Sequence, residues 1–196
     1  MTEGHLERLK VVEDRYYKTY QARLELAKRI QRQGTAWNWW LITSSLAVSV
    51  ASIALIRDPK IYGGQGDVLM ASLSLLAFTG SLVVSGCRFG ERSRDAFYAY
   101  RAIQKLSVQA ERARKSGSPA SSIDEVERLE DAYDQVIDSS ENHREIDHIR
   151  AKRVRGERLD RRDQRKIAGA WVVEALPYAS LVASLASLIP VFFWIF

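Results

Sequence analysis

Charge is missing from three long stretches of this chain. Residues 37–56, 68–87 and 175–196 contain no Lys, Arg, Asp or Glu, although those residues make up 27% of the sequence. At about 1.5 Å of rise per residue, helices over these windows reach about 30 Å, the thickness of a bilayer's hydrocarbon core. The absence argues against a soluble core, where a helix normally keeps a polar stripe toward water. Cysteine is nearly absent too: Cys87 alone allows no intramolecular disulfide and no paired-cysteine metal or redox motif. There is no glycine-rich phosphate loop and no nucleophile beside an evident base, so the chain reads as a non-enzyme without a cofactor. Residues 1–33 lack the apolar run of a signal peptide, which predicts that the N-terminus is retained.

What the chain does have is charge crowded between these windows. Residues 1–36 hold eight Lys or Arg, the turn after the first window holds Arg57 and Lys60, and residues 88–166 hold the other nineteen. The positive-inside rule then puts both long charged regions in the cytoplasm and the 57–66 turn outside. The predicted organisation is an N-terminal amphipathic helix (1–36), a transmembrane hairpin (37–88), cytoplasmic helices (89–150), a basic juxtamembrane segment (151–170) and a third membrane helix (171–196). The third span is the least regular. Glu174 and Pro177 sit at its expected entry, where a carboxylate meets the positive helix end and a missing N–H costs little, and Pro190 should kink or end its last turn. A re-entrant or interfacial segment is the alternative; a full crossing leaves Phe196 outside.

Periodicity supplies the helices between. Leu6, Leu9, Val12, Tyr16, Tyr20, Leu24, Ala27 and Ile30 recur at spacings of three and four, with Gly34 as a hinge and Trp37, Trp39 and Trp40 at the membrane interface. A glycine-bearing turn, residues 57–67, joins the first two windows and Asp67 is placed to cap the second. Phe97, Tyr100, Ile103 and Leu106 form a second cytoplasmic stripe, broken at Gly117 and Pro119. Ser121 with Asp124, or Ser122 with Glu125, has the capping-box spacing for a third helix, whose stripe of Ile123, Val126, Leu129, Tyr133, Val136, Ile137, Ile146 and Ile149 carries it to about Ile149. Each of these helices has an apolar edge that water disfavours, so they predict a cytoplasmic bundle. The fold class is an all-α membrane protein: a transmembrane helical hairpin, a cytoplasmic helical bundle and a third C-terminal membrane helix.

Three groups of residues are candidates for function. On one helix His143 and Asp147 would share a face, as would Glu141 and Glu145; with Asn142 they form a polar cluster that reads first as structural, and second as a metal or acid–base site. Arg150, Lys152, Arg153, Arg155, Arg158, Arg161, Arg162, Arg165 and Lys166 suit anionic lipid, an acidic partner helix such as the face of Asp124, Glu127, Asp131, Asp134 and Asp138, or phosphate. Nucleic acid or a nucleotide ligand is the weaker reading, since no aromatics interleave the basic run. In the apolar windows Ser45, Ser49, Ala77, Ser81, Ser85, Ala179, Ala183 and Ser187 repeat small residues at four-residue spacing. Such faces pack helices within one chain, or line a wet pore when several copies form a ring, where Glu174 would supply an acidic collar.

The long first helix, the tight hairpin of spans and the helices after it resemble the SLATT family of two-transmembrane effectors over roughly residues 5–150. Tyr16 and Tyr20, Phe97 to Leu106, and Tyr133 to Asp147 with its Glu141-Asn142-His143 triplet carry the likeness, and they look like the branch linked to reverse transcriptases. The resemblance implies an effector in the bacterial inner membrane that forms homo-oligomers, works as a channel and damages the host cell when a linked sensor or reverse transcriptase is triggered by phage. It brings no catalytic residues, and the third apolar window lies beyond its two-span pattern.

Overall fold

The computed structural model describes residues 3–116 and 123–195. Among them are seven helices and no strand: α1 (Glu3–Arg57), α2 (Gly66–Gly86), α3 (Phe89–Ser116), α4 (Ile123–Asp138), α5 (Glu145–Val154), α6 (Arg161–Ala186) and α7 (Ile189–Ile195). They group into two units, Met1–Ile30 with Gly90–Ala168, and Gln31–Phe89 with Gly169–Phe196. The expected break at Gly117 and Pro119 and the serines of the two capping boxes lie outside the described residues.

The first unit is the predicted bundle. Leu9, Val12 and Tyr16 of α1 meet Ile103, Leu106, Ala110 and Ala113 of α3 and Val126, Leu129 and Tyr133 of α4 in one buried core. Each fully buried large aliphatic side chain contributes about 1.5–3 kcal/mol relative to exposure. Tyr16 and Tyr133 stack with ring centroids 4.4 Å apart, and the Tyr16 hydroxyl donates to the Leu129 carbonyl at 2.8 Å. Burial pushes that phenol's pKa up, so it stays a donor. The face of α3 turned inward is made of Ala96, Ala99, Ile103, Leu106 and Ala110; Phe97 is exposed and lies edge-on to Tyr100.

Two expectations about this unit are corrected. The third helix does not run to Ile149: α4 stops at Asp138 and α5 begins at Glu145. The hydroxyls of Ser139 and Ser140 bond the Val136 carbonyl, and such side-chain bonds compete with helix continuation. The basic stretch is likewise not one segment but the end of α5, a turn through Gly156 at φ 75°, and the first turns of α6.

In the second unit, α1 and α2 form the hairpin. Gly34, expected as a hinge, lies within unbroken helix; a Cβ there would fall 2.7 Å from Cβ of Phe89, so it serves close packing. At Gly80 the same atom would sit 2.5 Å from the Trp40 ring, which is buried in the hairpin. Asp67 is not the cap of α2, which starts one residue earlier after Gln65; it contributes its charge in the first turn instead. The entry of the third span is also revised. Because the charged residues from Arg161 onward are already helical, Glu174 and Pro177 lie well inside α6 and not at its first turn. Pro190 acts as anticipated: its ring opposes the carbonyl four residues back, at Ala186, where α6 ends before α7 resumes. The Tyr62 hydroxyl donates to the Ser187 carbonyl at 2.8 Å across this break.

Candidate functional site

The polar chemistry of the first unit gathers where the α4–α5 loop crosses α1. Asp147, fully buried in the first turn of α5, accepts from Arg29 Nε at 2.7 Å and from a terminal Arg29 nitrogen at 3.0 Å. Its second oxygen also takes the Arg144 backbone N–H at 2.9 Å, so one carboxylate caps α5 and ties it to α1. Arg23, two turns earlier on α1 and fully buried, donates to the Glu141 carbonyl and, at 3.4 Å, to Asn142 Oδ1. Its Nε finds no partner, and burial lowers its pKa. The Glu141 carboxylate turns the other way and is gripped at both oxygens by Arg92 of α3, at 2.9 and 2.7 Å, which holds it below the usual carboxylate range.

His143 stands half-buried beside this network, its Nδ1 unpartnered; burial, then the Arg23 charge, push its pKa down. His148 is lowered by burial and by Lys152 and Arg155. The predicted i, i+4 pairing of His143 with Asp147, and of Glu141 with Glu145, does not form, because residues 141–144 are loop. Asp147 has both oxygens committed, one to Arg29 and the other to Arg29 and the Arg144 backbone. Among the described residues no group of His, Cys, Asp and Glu is placed to hold a metal. The geometry fastens one loop to two helices.

Arg23, Arg29 and Arg92 were missed as site residues. Arg23 and Arg29 did carry a signal: they occupy the buried face of α1 between Tyr16, Leu26 and Ile30, where the helical period calls for apolar side chains. The basic run is split in use. Arg155 bonds Glu157 at 2.5 Å and reaches Gln21 at 3.4 Å, Lys166 pairs with Glu145, and Arg150 and Lys152 are half-buried, whereas Arg153, Arg158, Arg161, Arg162 and Arg165 are exposed.

In the second unit the small residues divide in the same way. Ser44, Ala47, Ala51 and Ala54 of α1 are buried, while Ser45, Ser49, Ser85, Ala179 and Ala183 are exposed and Ala77, Ser81 and Ser187 are half-buried. A cavity of about 190 Å3 lies where α1, α2 and α6 approach, bordered by Trp40, Ala47, Ala77, Ser180, Ala183 and Ser187. Glu174 borders a different cavity, shared with Arg32. Large apolar side chains cover the outside: Ile42, Leu46, Ile53, Leu75, Phe78, Leu82, Val172 and Phe193 are each at least half exposed. The apolar windows within Glu7–Arg57, Gly66–Lys115 and Arg161–Trp194 are 28%, 6% and 11% buried, and all three helical stretches are long and apolar enough to cross a membrane.

The model of the SMODS and SLOG-associating 2TM effector domain, family 5, matches residues 5–196. The chain belongs to this family. Its third apolar helix therefore lies inside the family's own extent, which corrects the view that the likeness stops near residue 150. No curated protein and no solved structure matches the chain. This SLATT chain is a membrane protein whose effector domain includes both units.

Proposed function

We propose that this SLATT chain is a non-enzymatic effector of a bacterial anti-phage or conflict system that assembles into homo-oligomers and forms or gates a pore in the host inner membrane. The observation that carries this reading is the outward-facing apolar belt of the second unit in a chain of an effector family. Lipid satisfies such a surface and water does not. Ser45, Ser49 and Ser85 are exposed, with the Ser49 hydroxyl donating to the Ser45 carbonyl of its own helix at 2.8 Å, which leaves their small outward faces for contacts between copies. In this reading residues 1–36 and 88–170 are cytoplasmic, the turn after Arg57 and the C-terminus face outward, and the exposed arginines of α5 and α6 rest on anionic lipid. A sensor or reverse-transcriptase partner acts on the first unit. Its signal reaches the spans along α1, which carries Arg23 and Arg29 and continues into the first apolar window.

Reconstitution into dye-loaded liposomes tests the proposal. Leakage that rises with protein density, together with loss of membrane potential on induced expression in cells, is the expected result. Sealed liposomes and polarised cells, with oligomers present, would leave a membrane-tethered interaction module as the better account.

A further inference from the structure

We propose that the first unit docks on a second copy of this chain through charge, the basic face of α3 in one copy receiving the acidic face of α4 in the next. This contact presupposes the homo-oligomer proposed above and gives it a surface. Arg94, Arg101, Lys105 and Arg112 recur along α3 at spacings of seven, four and seven residues, which puts them within about 40° of one line on the helix. All four are exposed, and none has an ion pair among the described residues. Asp95 and Glu111 stand about 100° round the helix, one to either side, so the stripe is purely cationic. A depression of about 300 Å3 runs along it, past Arg101, Lys105, Val108 and Arg112, with room for side chains from outside. On α4, Asp124, Glu127, Asp131, Asp134 and Asp138 fall within about 80°, again exposed and without an ion pair among the described residues. Like charges three and four apart on a helix repel, so each stripe gains from a neighbour of opposite sign.

The two stripes share a register. From Arg94 the cations step by seven and then four residues to Arg101 and Lys105, about 10.5 and 6 Å along the axis. Read backwards from Asp138, the carboxylates take the same two steps to Asp131 and Glu127. Within one chain, Arg92 grips Glu141, three residues past Asp138, at 2.7 and 2.9 Å, while residues 117–122 join the other ends of the two helices. The helices therefore run antiparallel, with Arg94 and Asp138 at about the same height. Copies turned about an axis along these helices keep that height, so Asp138, Asp131 and Glu127 of one copy come opposite Arg94, Arg101 and Lys105 of the next. Each copy carries one stripe of each sign on different helices, which makes the contact head-to-tail, the kind that closes into rings. The exposed arginines of α5 and α6, split by the turn at Gly156, do not repeat this spacing.

The full chain, purified in mild detergent at low salt, is treated with a water-soluble carbodiimide, which joins an amine to a carboxylate only where they touch. Covalent dimers should yield a linked Lys105–Glu127 peptide on digestion. Lys105→Arg, which keeps the charge but offers no amine, should lose that peptide without changing the particle mass. A chain with Arg101→Glu and Lys105→Glu, or one with Glu127→Lys and Asp131→Lys, should associate at least about tenfold more weakly than wild type, because like charges then face each other. Mixed together, these two variants should reassemble. Covalent dimers without the linked peptide, or reversed variants that keep wild-type mass, overturn the proposal and leave the homo-oligomer standing on another surface. Weakening of the α3 variant that mixing does not repair assigns the basic face to a different polyanion, nucleic acid included, and overturns it too. A monomeric wild type would remove the contact and the homo-oligomer together.

Discussion

Asp147 is the side chain on which most of the first unit's polar order converges. A carboxylate with no exposure, held by Arg29 at two points and by a backbone N–H, is stable only while its partner is present. Removing either partner leaves a buried charge, which costs about 3–5 kcal/mol, whereas replacing both by apolar groups of similar volume is often nearly neutral. Arg29→Met and Asp147→Leu should each lower stability by that amount, and the two together should recover most of it. Denaturant unfolding of the full chain in detergent checks this as a double-mutant cycle, and strictly additive losses would refute the pairing. The histidines set a pH dependence of definite sign. His143 and His148 are held below their usual value of 6.5 in the fold. Their contribution is complete above that value and is lost as pH falls through the lowered folded values, because the unfolded chain then binds more protons. Glu141, lowered from 4.5 by Arg92, repeats the pattern at lower pH. The melting temperature should therefore fall between pH 7 and 5 and fall again below 4.5. His143→Gln with His148→Gln should flatten the upper decline alone; a wild-type melting temperature unchanged from pH 7.5 to 5.5 would contradict the assignment.

At the scale of helices, close approach in the hairpin depends on glycine where a ring lies overhead. An added Cβ at Gly80 would meet the buried Trp40 ring at 2.5 Å, while one at Gly86, in the same helix, meets nothing within 4 Å. Gly80→Ala should thus cost about 1–3 kcal/mol through overpacking, and Gly86→Ala should be neutral or slightly stabilising. Thermal unfolding of both variants decides the matter, and equal effects would mean that α1 and α2 do not pack through Gly80. The elements themselves were largely legible in the sequence, for different reasons. The spans announce themselves by missing charge, which needs no knowledge of neighbours, and Leu9, Val12, Tyr16, Ile103, Leu106, Val126, Leu129 and Tyr133 fall on the stripes their spacing predicts. The gap between α4 and α5 was hidden because Ile146 and Ile149 continue the apolar period in phase across it, and serines suit a helix surface as well as its end. The start of α6 was hidden because solvated Arg and Lys are good helix formers, so the change at Glu174 is one of environment and not of backbone. The cluster's loop residues were visible as a group, but their arginine partners, some 50 to 120 positions away, were not.

Seen as a whole, the molecule presents two kinds of small-residue face, and they should behave differently once the chain is in a membrane. Ala47 and Ala51 are buried against their own hairpin, whereas Ser45 and Ser49, on the same helix and at the same four-residue spacing, point away from it. Within the bilayer no hydrophobic force drives helices together, so association between copies, on the proposed reading, would draw on close backbone approach at small exposed residues such as Ser45 and Ser49, whose hydroxyls can still accept a hydrogen bond. In a Cys87→Ser background, Ser45→Cys and Ser49→Cys should then form disulfide-linked dimers in oxidised membranes. Ala47→Cys and Ala51→Cys should not, because their sulfurs would face inward, beyond the 3.5–4.5 Å Cβ separation a bridge between copies demands. Gel mobility with and without reductant reads the result. Cross-linking confined to the alanine positions would show that the hairpin opens on assembly, and no cross-linking at any of the four would rule out this face of α1 as a contact between copies.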